Sequence, residues 1–68
     1  MTQNEEIYNH MLHIGPITPW IAIEEYRCLR LPARIKELRK LGIDVKDRWV
    51  EHKNREGKTK RFKEYYLE

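Results

Sequence analysis

Apolar residues recur at helical spacing along the first two thirds of the chain, and then the period changes. Ile7, Met11 and Ile14 repeat every three or four residues with Tyr8 and Leu12 beside them, which predicts an amphipathic helix. Thr2-Gln3-Asn4-Glu5 precedes it with a hydroxyl at the helix start and a carboxylate three residues on, the form of a capping box. Gly15-Pro16 is the matching stop signal, and Ile17 reads as a short extended link. Thr18-Pro19 restarts a helix, with Thr18 as N-cap and Pro19 in the first helical position. That second helix, Pro19–Tyr26, is about two turns long and too short to stand without neighbours. Arg27-Cys28 reads as a tight turn.

The third helix is expected to start at about Leu29 or Arg30 and to end at Leu41, before Gly42. Leu31, Ile35, Leu38 and Leu41 form its expected buried stripe. At 100° per residue, Leu29, Pro32, Ala33, Lys36 and Lys40 fall on the opposite face, with Arg34 and Arg39 on the flanks. After Gly42, Ile43, Val45, Trp49 and Val50 have strand-like composition, interrupted by the polar Lys46-Asp47-Arg48. Asn54-Arg55-Glu56-Gly57 is a turn signal, and Lys58–Leu67 is a second strand. Both of its alternating rows contain apolar residues, so the pattern leaves open which row faces inward. The predicted order is helix, short helix, helix, hairpin, an α+β arrangement. Its 68 residues leave room for one domain, residues 1–68. Trp20 and Trp49 are expected as core anchors, because a minimal domain needs its large side chains inside.

Charge changes this picture more than composition does. Residues 1–26 carry Glu5, Glu6, Glu24 and Glu25 and no Lys or Arg. The rest of the chain holds all 14 basic residues against the other seven of the 11 acidic ones. The net charge of +3 therefore hides a strong asymmetry, and the isoelectric point is near 9.2. One cationic face and a polyanionic partner follow more naturally than an unevenly charged ordinary surface. The single cysteine, Cys28, forms no internal disulfide, which argues against a stapled secreted mini-protein. The chain shows no membrane-length apolar run, and its first residues lack a basic start and an apolar signal core, so a cytoplasmic location is expected.

Two features point to chemistry. A short helix, a tight turn and a longer helix with exposed basic residues is the plan of a helix-turn-helix, whose second helix lies in the DNA major groove. Arg30, Pro32, Ala33 and Lys36 suit the front of such a helix, where small and polar residues let the backbone approach and Arg reads guanine edges. A plain three-helix bundle with a charged outer face explains those residues equally well. The hairpin decides between them. Residues 53–63 carry Lys53, Arg55, Lys58, Lys60, Arg61 and Lys63 against Glu56 alone. Such crowding exceeds what protection of a strand edge requires, and it favours phosphate contact.

Ile17-Thr18-Pro19, Ala22, Tyr26, Arg30-Leu31-Pro32-Ala33-Arg34-Ile35, Leu38-Arg39, Gly42, Val50, Asn54-Arg55-Glu56-Gly57-Lys58 and Tyr65-Tyr66-Leu67 resemble the small winged helix-turn-helix proteins of bacteriophages and prophages. The resemblance covers about Gly15 to Leu67, and it implies a winged helix-turn-helix fold in which the hairpin is the wing. Leu29 departs from it where a Ser or Thr cap belongs, and Pro32 replaces a small helix former. The implied partner is duplex DNA. Arg30, Pro32, Ala33, Lys36 and Lys40 would face the groove, Arg34 a flanking phosphate, and Lys53, Arg55, Lys58, Lys60 and Arg61 the wing clamp. Homodimers or arrays on DNA are compatible with so small a footprint. A different class of reading is a phage-encoded inhibitor or adaptor that binds a host protein on the same scaffold.

Enzymatic chemistry is not expected, nor is a cofactor. Glu6, His10 and His13 share one face of the first helix, but a polar helix surface gives that pattern freely. Glu24 and Glu25 diverge by about 100° on a helix, a poor geometry for shared acid–base work. Cys28 is expected as a small buried turn residue despite Arg27 beside it.

Overall fold

The computed structural model describes residues 2–67, as three helices followed by a hairpin. Helix α1 spans Gln3–His13, α2 Pro19–Tyr26 and α3 Leu31–Lys40; strand β1 spans Lys46–Lys53 and β2 Thr59–Tyr66. The order is the expected one.

Local chemistry accounts for most of these limits. Thr2 caps α1, its hydroxyl oxygen accepting from the Glu5 backbone N–H at 3.2 Å. The Glu5 carboxylate accepts from that same hydroxyl at 3.1 Å, so its Oε1 meets the Thr2 side chain rather than the capping-box amide. Thr18 caps α2 by accepting from Ile21 N–H at 3.2 Å, with Pro19 at the first helical position. Arg27 ends α2 in the left-handed region (φ 54°), which lets the Cys28 N–H reach the Ala22 carbonyl at 2.9 Å. Cys28 is buried there, as a small turn residue would be. Gly42 (φ 92°) completes a Schellman motif on α3. Its N–H donates to the Arg39 carbonyl, and the Ile43 N–H donates to the Leu38 carbonyl.

Three local expectations need correction. Helix α3 begins at Leu31, with Arg30 as an N-cap that makes no side-chain capping bond, and Leu29 stands exposed before it. The expected start one or two residues earlier fails because the Arg30 backbone is not helical (φ −129°, ψ 59°), so the first helical residue is Leu31. Leu41 and Ile14 are not buried, being 74% and 73% exposed. Each follows the last residue of its helix, where no neighbouring element covers it. Lys46-Asp47-Arg48 does not interrupt the first strand but begins it.

The hairpin is antiparallel, in a register that pairs Asp47 with Tyr65, Trp49 with Lys63 and Val50 with Phe62. Asn54 shapes the tip, its Oδ1 accepting from the N–H groups of Glu56 and Lys58, both at 3.0 Å. Gly57 there has φ 81°, a conformation glycine adopts without Cβ strain. An isolated hairpin is marginal in water, and this one is anchored by Ile17. The Ile17 N–H donates to the Tyr65 carbonyl at 2.8 Å, and the Tyr65 N–H donates back at 2.9 Å. The link between α1 and α2 is thus a one-residue third strand.

Ile7, Met11, Ile17, Ala22, Cys28, Leu31, Ile35, Leu38, Val45 and Tyr65 form the core, with Tyr8, Ile21, Tyr26, Ile43 and Leu67 packed around it. Tyr65 therefore identifies the inward row of β2. Neither tryptophan belongs to this core. Trp20 is 61% and Trp49 58% exposed, which overturns their expected role as anchors. Trp49 shares the sheet face of Tyr65 but lies further toward the tip, past the contact that Arg39 of α3 makes with Asp47. Trp20 stands in the first turn of α2, where it lines an outer cleft with His52, Asn54, Lys60 and Phe62.

Candidate nucleic-acid interface

The packing of α3 sorts its basic residues. Leu31, Ile35 and Leu38 are buried, so the opposite face, centred near Lys40 and Ala33, meets solvent. Lys36, Lys40, Pro32 and Arg30 are exposed, and Ala33 is half-buried. One flank of this face carries Arg34 and Glu37, and it turns toward α1. Arg34 pairs with Glu37 at 3.2 Å, and the Asn4 side-chain amide donates to the Glu37 carboxylate at 2.9 Å. The Arg34 Nε is buried without a partner among the described residues. Arg34 is thus the candidate most committed to the protein itself.

The other flank carries Arg39 and turns toward the wing. Arg39 Nη2 donates to the Val45 carbonyl at 2.8 Å and to the Asp47 carboxylate at 2.9 Å, and Nε also donates to Val45 at 3.2 Å. Sequence reasoning placed Arg39 on a flank but saw no role for it. The acceptor is a backbone carbonyl six residues on, and no side-chain pattern announces one. Asp47 also lies 3.8 Å from Lys63 on the second strand. Helix and wing are therefore held at a defined angle, with the free lysines of α3 beside the junction.

The wing itself projects from the helical body, giving a molecule of 40 × 22 × 21 Å. Lys53, Arg55, Lys58, Lys60 and Arg61 are all exposed along its outer half. Lys58 has only a loose contact with Glu56 at 3.9 Å, and Arg61 one with Glu51 at 3.8 Å. Nearer the base, Arg48 is held by Glu64 at 2.6 Å and lies over the Tyr66 ring. The structure places the candidates on exposed α3 and along the wing, with Arg34 on the far flank. On the wing, Arg61 shares the face of Asp47 that meets α3, whereas Lys60 lies on the opposite face beside Trp20 of α2.

The α1 histidines do not share a site. His10 is buried, its Nδ1 2.7 Å from the Tyr26 hydroxyl in a contact that joins α1 to α2, whereas His13 is exposed. Burial, with Glu25 and Glu6 nearby, raises the Tyr26 phenol above its ordinary pKa. Among the described residues no helix is long and apolar enough to cross a membrane.

Comparison with known proteins supports this architecture. The profile of the winged helix-turn-helix domain family matches residues 2–68, nearly the whole chain. No curated protein and no solved structure gives a significant match. Three helices, a two-stranded hairpin and that family match agree, and helix-turn-helix architecture is a vehicle for DNA binding. The chain belongs to the winged helix-turn-helix domain family.

Proposed function

We propose that this chain is a phage-type regulator that binds duplex DNA, with α3 in the major groove and the basic wing on phosphates. The observation that carries the reading is the distribution of unpaired cations. Seven of the 14 basic residues make an ion pair among the described residues: Arg34, Arg39, Lys46, Arg48, Lys58, Arg61 and Lys63. Of the seven that make none, Arg27 lies in the turn before α3. The other six are Arg30, Lys36 and Lys40 on α3 and Lys53, Arg55 and Lys60 on the wing. Like charges left unneutralised within each cluster repel one another, and a polyanion relieves that cost.

In this reading α3 presents Pro32 and Ala33 where the backbone must approach the bases. Arg30, Lys36 and Lys40 reach the groove floor and its edges. Lys53, Arg55, Lys58, Lys60 and Arg61 clamp the sugar–phosphate backbone and set the register, and Arg34 reaches a flanking phosphate only by giving up Glu37. A single copy of residues 1–68 covers one half-site, so two copies or an array would occupy a longer operator. The phage character rests on the resemblance in the sequence, and the same surface would serve a transcription factor or a recombination accessory protein.

Anisotropy titration of a labelled duplex at several salt concentrations tests the reading. Each phosphate neutralised contributes about 0.9 to the slope of log affinity against log salt, so five contacts give a slope near −4.5. A flat response, or no binding, would overturn it and favour a host-protein adaptor built on the same scaffold.

A further inference from the structure

Trp49 is an exposed indole with an organised setting. Alternation along β1 places it on the same sheet face as Asp47, the carboxylate that Arg39 of α3 holds at 2.9 Å. That face of the wing therefore looks into the angle between hairpin and recognition helix. Across the ladder Trp49 pairs with Lys63, and Arg61 is the diagonal neighbour. Both cations lie over the indole, the Arg61 guanidinium 5.2 Å and the Lys63 ammonium 5.3 Å from the ring centroid. Each has a loose ion pair on the same face, Arg61 with Glu51 and Lys63 with Asp47, both at 3.8 Å.

We propose that Trp49 is a DNA-contacting residue, its indole packing on deoxyribose in the angle between α3 and the wing while Arg61 and Lys63 take the flanking phosphates. The proposal rests on the reading of the chain as a duplex-DNA binder. Charge complementarity selects the occupant. An apolar protein surface would have to cover two cations along with the ring, at a desolvation cost. A nucleic-acid backbone alternates anionic phosphate with apolar sugar, and the indole with Arg61 and Lys63 over it sets an apolar ring beside positive charge. Asp47 and Glu51 of the same face are turned to Arg39 and to those two cations. Residues two apart on one strand stand about 6.7 Å from each other, a spacing of the same order as the step between successive phosphates. The cation–π contacts hold the ring and both cations in place before DNA arrives, which reduces the ordering cost of binding. A sugar contact carries no base information, so Trp49 adds affinity without sequence preference.

The experiment uses the full chain with Trp20→Phe, which leaves Trp49 as the only tryptophan. Duplex binding is followed by anisotropy of a labelled DNA, and Trp49 is followed by its own emission and by its quenching with acrylamide. The expected result is that saturation with duplex changes the Trp49 emission and protects it from acrylamide. In the otherwise unaltered chain, Trp49→Ala should weaken binding about tenfold at every salt concentration, the scale of one aromatic contact. The salt slope should stay unchanged, because the indole displaces no counterions. Trp49→Phe should recover most of the loss, which separates the contact from a folding defect. Duplex that binds while Trp49 keeps its emission and its acrylamide accessibility would overturn this proposal and leave the DNA-binding reading standing. Absence of duplex binding would overturn both.

Discussion

Arg39 on the third helix and Asp47 on the first strand of the wing meet at 2.9 Å, while the same guanidinium takes the Val45 carbonyl at 2.8 Å. This clip turns a hairpin and a helix into one surface. The fork geometry suits arginine, since two acceptors are engaged at once and lysine offers no planar equivalent. Both side chains are partly exposed, so the contact contributes to orientation more than to global stability.

Arg39→Met should therefore lower unfolding stability by only about 1 kcal/mol, the scale of a partly exposed pair with its hydrogen bonds. Its larger effect should be faster amide hydrogen exchange at Arg48 and Glu64, a hydrogen-bonded pair of the ladder, and weaker duplex binding. If exchange at the wing base stays at the parent rate, the clip does not hold the wing.

Leu38 and Leu41 give opposite outcomes from the same change. Leu38 is 2% exposed in the core, and Leu38→Ala should cost about 2–5 kcal/mol, comparable to the whole stability of so small a domain. Leu41 is largely in water, so Leu41→Ala should stay within about 0.5 kcal/mol of the parent. Urea unfolding of the two variants side by side checks both, and equal losses would contradict the packing of α3.

Within the proposed interface, wing and helix should separate by kind of effect. Replacing Lys58 and Lys60 with Ala should weaken binding to every duplex alike and flatten the salt slope by about 1.8, at about 0.9 per phosphate. Arg30→Ala should cost about 1–3 kcal/mol on a selected site and little on a scrambled one, if it reads a guanine edge. Paired titrations on the two duplexes decide. Equal losses on both would make Arg30 a phosphate contact and Lys36 the better reader.

Alkaline pH should destabilise the fold through Tyr65. Burial raises its phenol above the ordinary 10.0, the Asp47 carboxylate adds to the rise, and Arg39 opposes it. The folded state then holds a proton that the unfolded chain gives up. The contribution is fully present below pH 10 and is lost as pH rises from there through the folded pKa. Thermal melts across that window should show the midpoint falling less steeply for Tyr65→Phe than for the parent. Identical slopes would mean that Tyr65 does not titrate in a buried setting.

How much the chain reveals of itself depends on how far apart the partners lie. Thr18 with Ile21, Asn54 with Glu56 and Lys58, and Gly42 in its Schellman turn all act within a few residues. Such contacts are written in local sequence, so helix order, stop signals and the wing tip are legible there, and the clustering of charge needs no structure at all. The start of α3 was less so, because Leu29 and Arg30 supply no capping oxygen and leave the boundary to packing. Tertiary structure alone decided the rest. Which row of β2 faces inward depends on Tyr65 meeting Ile17, 48 residues away in the chain and silent in any periodicity. Trp20, Trp49, Leu41 and Ile14 look like core residues by composition, yet each stays more than half exposed at the margin of the packed elements. Hydrophobicity states a demand for burial, but burial needs a partner surface, and only the assembled fold supplies or withholds one. Arg39 is the converse case, a residue that reads as surface charge until the fold brings the Val45 carbonyl and Asp47 within its reach.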